Sequence, residues 1–296
     1  MKNSLINNLY ELELSSEKSL KVLHPKTRDK PQLNVLKCSD SGVIVLEEIQ
    51  LDDNYYQFNQ EYSPERKKEV KTIDNTIKSE PLDDDLRRFN TYSHLIKDSS
   101  VLDFGCGSGS FLFLSSEIAS TCTGIELNRD NRTNINKGGI DCFENISDLP
   151  QEKTFDLITL HHVFEHLSNP IKILKELGDL LTPDGQIIIE VPHARDFLLE
   201  TFKLEEFMDF TFWSEHLILH TKESLESFLK ESGLKTIKIE GYQRYPLSNH
   251  LYWLHQGKPS GHEVLNHLND PEFHEKYQNL LAEINQTDTL IGYFKK

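Results

Sequence analysis

Val101-Leu-Asp-Phe-Gly-Cys-Gly-Ser-Gly-Ser110 is the stretch whose reading decides the fold. A short apolar strand, Val101 to Phe104, runs into glycines at alternate positions (Gly105, Gly107, Gly109), and Ser110 to Ala119 reads as a helix. A backbone without Cβ atoms turns tightly and lets a ligand lie against it, and the helix N-terminus adds partial positive charge. Such a loop alone is weak evidence. The next strand, Cys122 to Glu126, ends in an acid 21 residues after Gly105, where a carboxylate can take both hydroxyls of a ribose. Loop and acid together signal a ligand containing a nucleoside.

Details of the loop narrow the ligand. The nicotinamide fingerprint G-x-G-x-x-G/A fails at Ser110, and the Gly-Lys-Ser/Thr of a Walker loop is absent. Asp103 is unwelcome beside a pyrophosphate but suits an ammonium group. The expected ligand has an adenosine end and a positively charged amino-acid end.

Working outward, Phe155 to Leu160, Gln186 to Val191 after the Pro183-Asp184-Gly185 turn, Thr236 to Gly241 and Thr289 to Phe294 read as further strands. Pro81 to Lys97, Ile171 to Leu181 and Ser224 to Ser232 read as helices, so the alternation implies a parallel sheet in an α/β fold. Leu33 to Leu46 alternates around Ser39 to Gly42 as a β-hairpin.

These segments resemble, in order and spacing, the motifs of class I S-adenosylmethionine-dependent methyltransferases. Val101 to Gly109 looks like their first motif and Gly124-Ile-Glu-Leu-Asn128 like the ribose-binding end of the second strand. Asn145-Ile146 resembles the segment at the adenine edge, and Phe155 to Pro170 the fourth-strand motif with its Glu-His turn. Leu180 to Glu190 resembles the helix-to-fifth-strand motif. The resemblance covers about residues 82 to 241. It implies a Rossmann-like seven-stranded, mostly parallel sheet whose last strand is antiparallel, with an N-terminal β-hairpin extension and a C-terminal insert. It also implies S-adenosyl-L-methionine as cofactor, held by Asp103, Gly105, Cys106, Gly107, Gly109, Glu126, Leu127, Asn145, Ile146 and His161. Arg88 is similar to an arginine that some relatives place on the cofactor carboxylate. The expected organisation is an extension (1–80), a methyltransferase core (81–245), an insert over the acceptor (246–286) and the last core strand (287–296).

The chain has 296 residues, with 32 basic and 48 acidic side chains giving a net charge of −16. That excess repels phosphodiester backbones and anionic lipid surfaces, and no basic block offsets it, so neither nucleic acid nor membrane is expected as a partner. No apolar run approaches the roughly 20 residues of a membrane span. Four dispersed cysteines without a CxxC pair point to a reducing compartment, and the cytoplasm is the expected address. A homodimer is compatible with these features. The N-terminal hairpin loosely resembles the zinc-ribbon-like extension of surface-carbohydrate methyltransferases, but Cys38 lacks a cysteine partner.

Eleven of the 13 histidines fall at or after His161, the half of the chain expected to meet the acceptor. A neutral imidazole suits removal of an acceptor proton near pH 7, and His166, His193 and His216 are the candidates. His162-Val-Phe-Glu-His166 spells an inverted zinc-protease motif, but it follows a strand and has no identifiable third ligand, so no metal is expected. Glu165, Arg244, Tyr245, His250 and Trp253 are candidate acceptor contacts, with packing an equal account for those in the insert. Tyr55, Tyr56 and Tyr62 are read as packing residues. The expected function is methyl transfer to oxygen, nitrogen or carbon of a polar small molecule or glycan, in cell-surface carbohydrate or specialised-metabolite assembly. The competing reading is a catalytically silent, cofactor-binding regulatory subunit.

Overall fold

The computed structural model describes residues 3–50 and 83–296; Tyr55, Tyr56 and Tyr62 lie outside them. Its strands are β1 (Leu20–His24), β2 (Val35–Cys38), β3 (Ile44–Leu46), β4 (Ser100–Phe104), β5 (Thr121–Ile125), β6 (Asp141–Phe143), β7 (Phe155–His161), β8 (Leu181–Pro192), β9 (Ile218–Leu219), β10 (Lys235–Tyr242) and β11 (Thr289–Lys295). Seven form one sheet in the order β10-β11-β8-β7-β4-β5-β6. Strands β8, β7, β4, β5 and β6 are mutually parallel, and β11 runs antiparallel between β8 and β10. This is the mostly parallel sheet with an antiparallel last strand that the sequence implies.

The apolar runs of β4 and β7 sit in the middle because helices cover both faces of the sheet, which buries nearly every position. One flanking helix, Lys222–Glu231, is capped by Thr221, whose hydroxyl accepts from the Ser224 amide, and buries Leu225, Phe228 and Leu229. β8 begins earlier than the sequence suggests. Leu181 lies opposite Phe155 and Gln186 opposite Leu157, so Pro183-Asp184-Gly185 forms an excursion within the ladder. No helix among the described residues is long and apolar enough to cross a membrane.

The N-terminal segment extends the expected hairpin into a second sheet, β1-β2-β3-β9. Its fourth strand comes from the distant segment Ile218–Leu219, paired antiparallel with Ile44 and Val45. Asn3 Nδ2 donates to the carbonyls of both Leu46 (2.9 Å) and Leu217 (3.2 Å). Leu5, Leu9, Val35 and Ile44 share one apolar cluster with Phe164, Ile218 and the core strands. Extension and core thus have a common interior.

The insert is helical, with segments Leu247–Gln256, Gly261–Val264 and Pro271–Glu283. It is fastened where its ends meet: Gln243 Nε2 donates to Asp288 Oδ2 (2.9 Å), and the Asp288 amide donates back to Gln243 Oε1 (3.1 Å).

Candidate functional site

The three loop glycines have left-handed φ values of +74° (Gly105), +56° (Gly107) and +79° (Gly109), a region that penalises side chains. Their surroundings differ. A Cβ on Gly105 would lie 2.5 Å from Val163, and one on Gly109 2.7 Å from Ile135, so these two glycines permit close packing. A Cβ on Gly107 would meet nothing within 4 Å. Gly107 is the position at which the loop faces open space.

Glu126 stands directly after β5 and braces the loop from the side. Its Oε2 accepts from the Gly107 amide (2.7 Å) and its Oε1 from the Asn128 amide (2.7 Å), while burial raises its pKa. Each oxygen retains further accepting capacity. Leu127 beside it is partly exposed. Asn145 and Ile146 open a short turn just past β6, brought near Glu126 because the Glu126 amide donates to the Phe143 carbonyl (3.0 Å). Cys106 Sγ lies 3.8 Å from Cys142 Sγ beneath the loop.

Asp103, 3% exposed, accepts from Thr159 Oγ1 (2.7 Å), and His161 Nδ1 lies 3.6 Å from it. The His161 ring stacks parallel to Tyr92, and its buried Nε2 has no partner among the described residues. These side chains come together because β4 and β7 are paired neighbours whose carboxyl ends meet at the loop.

Arg88 departs from the sequence expectation. Its guanidinium donates to Glu190 (Nη2 to Oε1, 2.9 Å; Nε to Oε2, 3.3 Å) and to Asp85 (2.9 Å), so it is engaged by protein carboxylates. Arg87 adds two more bonds to Glu190, at 2.7 and 2.9 Å. Burial alone would raise the Glu190 pKa, yet Arg88 and His162 hold it well below the usual carboxylate range. The sequence reading missed Glu190 as a site residue. Its signal is an acid inside the apolar run Ile187 to Val191, and a buried carboxylate of that kind requires partners.

After β7, His162 takes a left-handed φ of +53° and begins a tight turn whose residues Phe164–His166 form one 3-10 turn. The H-x-x-E-H segment is therefore not a helix presenting two imidazoles. His162 instead lies between two acids, Nδ1 3.3 Å from Glu165 and Nε2 3.3 Å from Glu190. Glu165 is fully buried. Burial would raise its pKa, but the His162 hydrogen bond and the nearby imidazoles bring it down to about 2.

His166 and His216, 50 residues apart in sequence, meet edge to face with ring centroids 5.0 Å apart. The N-terminal sheet holds them there. The Leu217 amide donates to the Glu165 carbonyl (2.9 Å), the Leu46 amide donates to the Leu217 carbonyl (3.1 Å), and the Ser214 amide donates to Asp29 (3.0 Å). Burial lowers the His216 pKa to about 3, leaving a neutral imidazole.

His193 does not join them. It is 1% exposed, its Nδ1 bonds the Thr287 carbonyl (3.0 Å), and burial lowers its pKa to about 3. The reason is β11, which inserts beside β8 and covers the strand end that the sequence leaves open. Arg244 is spent on Asp84, which it holds at about 2 against the upward pull of burial. His250 is buried, bonds Tyr277 Oη through Nδ1 (2.6 Å) and stacks on Phe197, while Trp253 packs against Phe207 and Phe210. Among the proposed acceptor contacts in the insert region, Tyr245 is the exposed one.

Residues 75–239 match the family model described as a methyltransferase domain. The chain is 31% identical over 159 residues to an uncharacterized protein of Methanocaldococcus jannaschii, covering 53% of this chain and 60% of that protein. It is 24% identical over 171 residues to the ubiquinone biosynthesis O-methyltransferase of Colwellia psychrerythraea, covering 52% and 68%. In three dimensions it is similar to a SAM-dependent methyltransferase from Archaeoglobus fulgidus, with a TM-score of 0.50, 21% identity, and 71% and 92% of the two chains covered.

Proposed function

We propose, from the premise that this chain belongs to the methyltransferase-domain family of class I S-adenosylmethionine-dependent enzymes, that it methylates a hydroxyl of a polar small molecule or glycan. The observation that carries the cofactor assignment is the pairing of Gly107 with Glu126: a glycine whose Cα side faces open space, its amide held by a partly buried carboxylate with accepting capacity to spare. Apart from Arg88, which is engaged by Glu190 and Asp85, the expected residues suit S-adenosylmethionine. Glu126 would hold the ribose, Asn145 and Ile146 would border the adenine, and Asp103 and His161 Nε2, without a partner among the described residues, would meet the methionine end. Oxygen as the accepting atom is supported by the similarity to a ubiquinone biosynthesis O-methyltransferase.

Bound S-adenosylmethionine would supply an electrophilic methyl group on a sulfonium, whose departure as a neutral thioether needs little help. The protein's work is alignment, exclusion of water and removal of one proton. Glu165, His166 and His216 are the groups assigned to the acceptor. Glu165 and His166 follow β7 at its carboxyl end, next to the glycine loop through the Val163–Gly105 contact, His216 joins them from the segment before β9, and both imidazoles are partly exposed. In sheets of this kind ligands bind at such strand ends. The test is incubation with methyl-labelled S-adenosylmethionine and the small-molecule fraction of a bacterial or archaeal extract. Label is expected in a polar product, with S-adenosylhomocysteine released in equal amount. Saturable cofactor binding with no release of S-adenosylhomocysteine would favour the silent subunit instead.

A further inference from the structure

We propose that Glu165, His166 and His216 form a binding site for one divalent transition-metal ion, facing the acceptor. Each residue offers a ligand atom, and the three atoms lie within 4.8 Å of one another, close enough to converge on a single ion. Two imidazoles and one carboxylate are a borderline donor set suited to Zn²⁺, Co²⁺, Mn²⁺ or Fe²⁺ rather than to Mg²⁺ or Ca²⁺, which take oxygen ligands.

A second observation independently points to a ligand. Glu165 is fully buried, and its Oε2 has no hydrogen-bond partner among the described residues. The same is true of His216 Nδ1, which is shielded from solvent. A buried carboxylate oxygen left unpaired has given up its hydration with nothing in return. A cation between the three side chains removes that cost. The outer contacts of the cluster are also those of a ligating carboxylate, since Glu165 Oε1 lies 3.3 Å from His162 Nδ1, and His162 in turn lies 3.3 Å from Glu190.

The sequence rejects a metal at His162 and His166 for want of a third ligand. The structure changes the set: His162 belongs to the outer shell, and the third ligand, His216, arrives through β9 from 50 residues downstream. This gives the N-terminal sheet a purpose, because it fixes the backbone on both sides of His216. Three protein ligands leave a coordination position for an acceptor oxygen. There the ion would favour loss of the hydroxyl proton to solvent. The oxygen lone pair then forms the bond to the methyl carbon as the carbon–sulfur bond breaks and its pair returns to sulfur. This role rests on the methyl-transfer reading, whereas ion binding itself does not.

Zn²⁺ titration by calorimetry and Co²⁺ titration by visible absorption test the site in the full chain. One equivalent is expected, with affinity reduced at least about tenfold in Glu165→Gln and His216→Ala, while S-adenosylmethionine affinity stays within about twofold. Unchanged metal affinity in both variants, or binding lost instead in a Cys106→Ser and Cys142→Ser double variant, would overturn the proposal. Anomalous scattering from wild-type crystals grown with Zn²⁺ needs no variant: a peak among the three side chains is expected, and its absence would overturn the site. A metal-loaded chain that fails to bind S-adenosylmethionine would contradict the functional reading and leave the metal site standing.

Discussion

The glycine loop and the Glu165–His166–His216 cluster touch through Val163 and Gly105, yet they are assembled in opposite ways. The loop side draws mainly on one continuous stretch, residues 100–146, in which Glu126 reaches the Gly107 amide 19 residues away, with Thr159 and His161 of the neighbouring β7 beside Asp103. The cluster side draws on four separate segments, at Asn3 and near residues 29–46, 162–166 and 214–219, tied together by hydrogen bonds that span up to 214 residues. A locally encoded site survives damage elsewhere in the fold, whereas a site assembled at long range depends on the elements that bring it together.

Breaking each side separately tests that contrast. The largest effect is expected from Gly107→Arg, which places a long side chain in the open space before the loop on a backbone with φ +56°. S-adenosylmethionine binding should fall more than about a hundredfold by calorimetry, a loss of about 2.7 kcal/mol or more, and unchanged affinity would remove the loop from the site. Glu126→Ala should weaken the cofactor about tenfold to a hundredfold, in line with about 1.5–3 kcal/mol for hydrogen bonds to a charged group. Affinity for methionine should change much less; equal losses would contradict the ribose role.

The long-range side is probed by Asn3→Ala, which strips the two bonds to Leu46 and Leu217. A stability loss of about 1–3 kcal/mol is expected in denaturant, together with lower turnover at unchanged cofactor affinity. Reduced cofactor affinity would show that the two sides are not separable. A pH-dependent effect concerns Asp196, whose carboxyl is pushed up to about 7 by burial and by Asp288. Since its folded pKa lies above the unfolded value near 3.8, its contribution is fully present below about pH 4. It is lost at about 1.4 kcal/mol per pH unit as pH rises towards 7. Asp196→Asn retains a side-chain acceptor for the Leu198 amide and should flatten that slope in thermal melts between pH 4 and 7. An unaltered slope would contradict the assignment.

The same contrast explains what could be read from the residues alone. The loop, Glu126 and the alternation of strands and helices were legible because periodicity and glycine spacing are local signals. β6 has three residues and β9 two, too short for any pattern, so neither the edge of the main sheet nor the strand that closes the second sheet leaves a signal, although the hairpin of that second sheet does. His166 and His216 were both candidates, but nothing in the spacing states that they meet. The strand-end rule placed His193 at an open edge. That edge is closed by β11, so a correct local rule failed through a long-range contact. Arg88 is likewise engaged at long range, by Glu190 102 residues away.

The most direct measurement is the crystal structure of the full chain with S-adenosylhomocysteine bound. The account predicts ribose hydroxyls on Glu126, the amino-acid end beside Asp103 and Gly105, and the sulfur turned towards Glu165, His166 and His216. A ligand that occupies the loop but turns its sulfur away from that cluster, or that binds elsewhere, would contradict it.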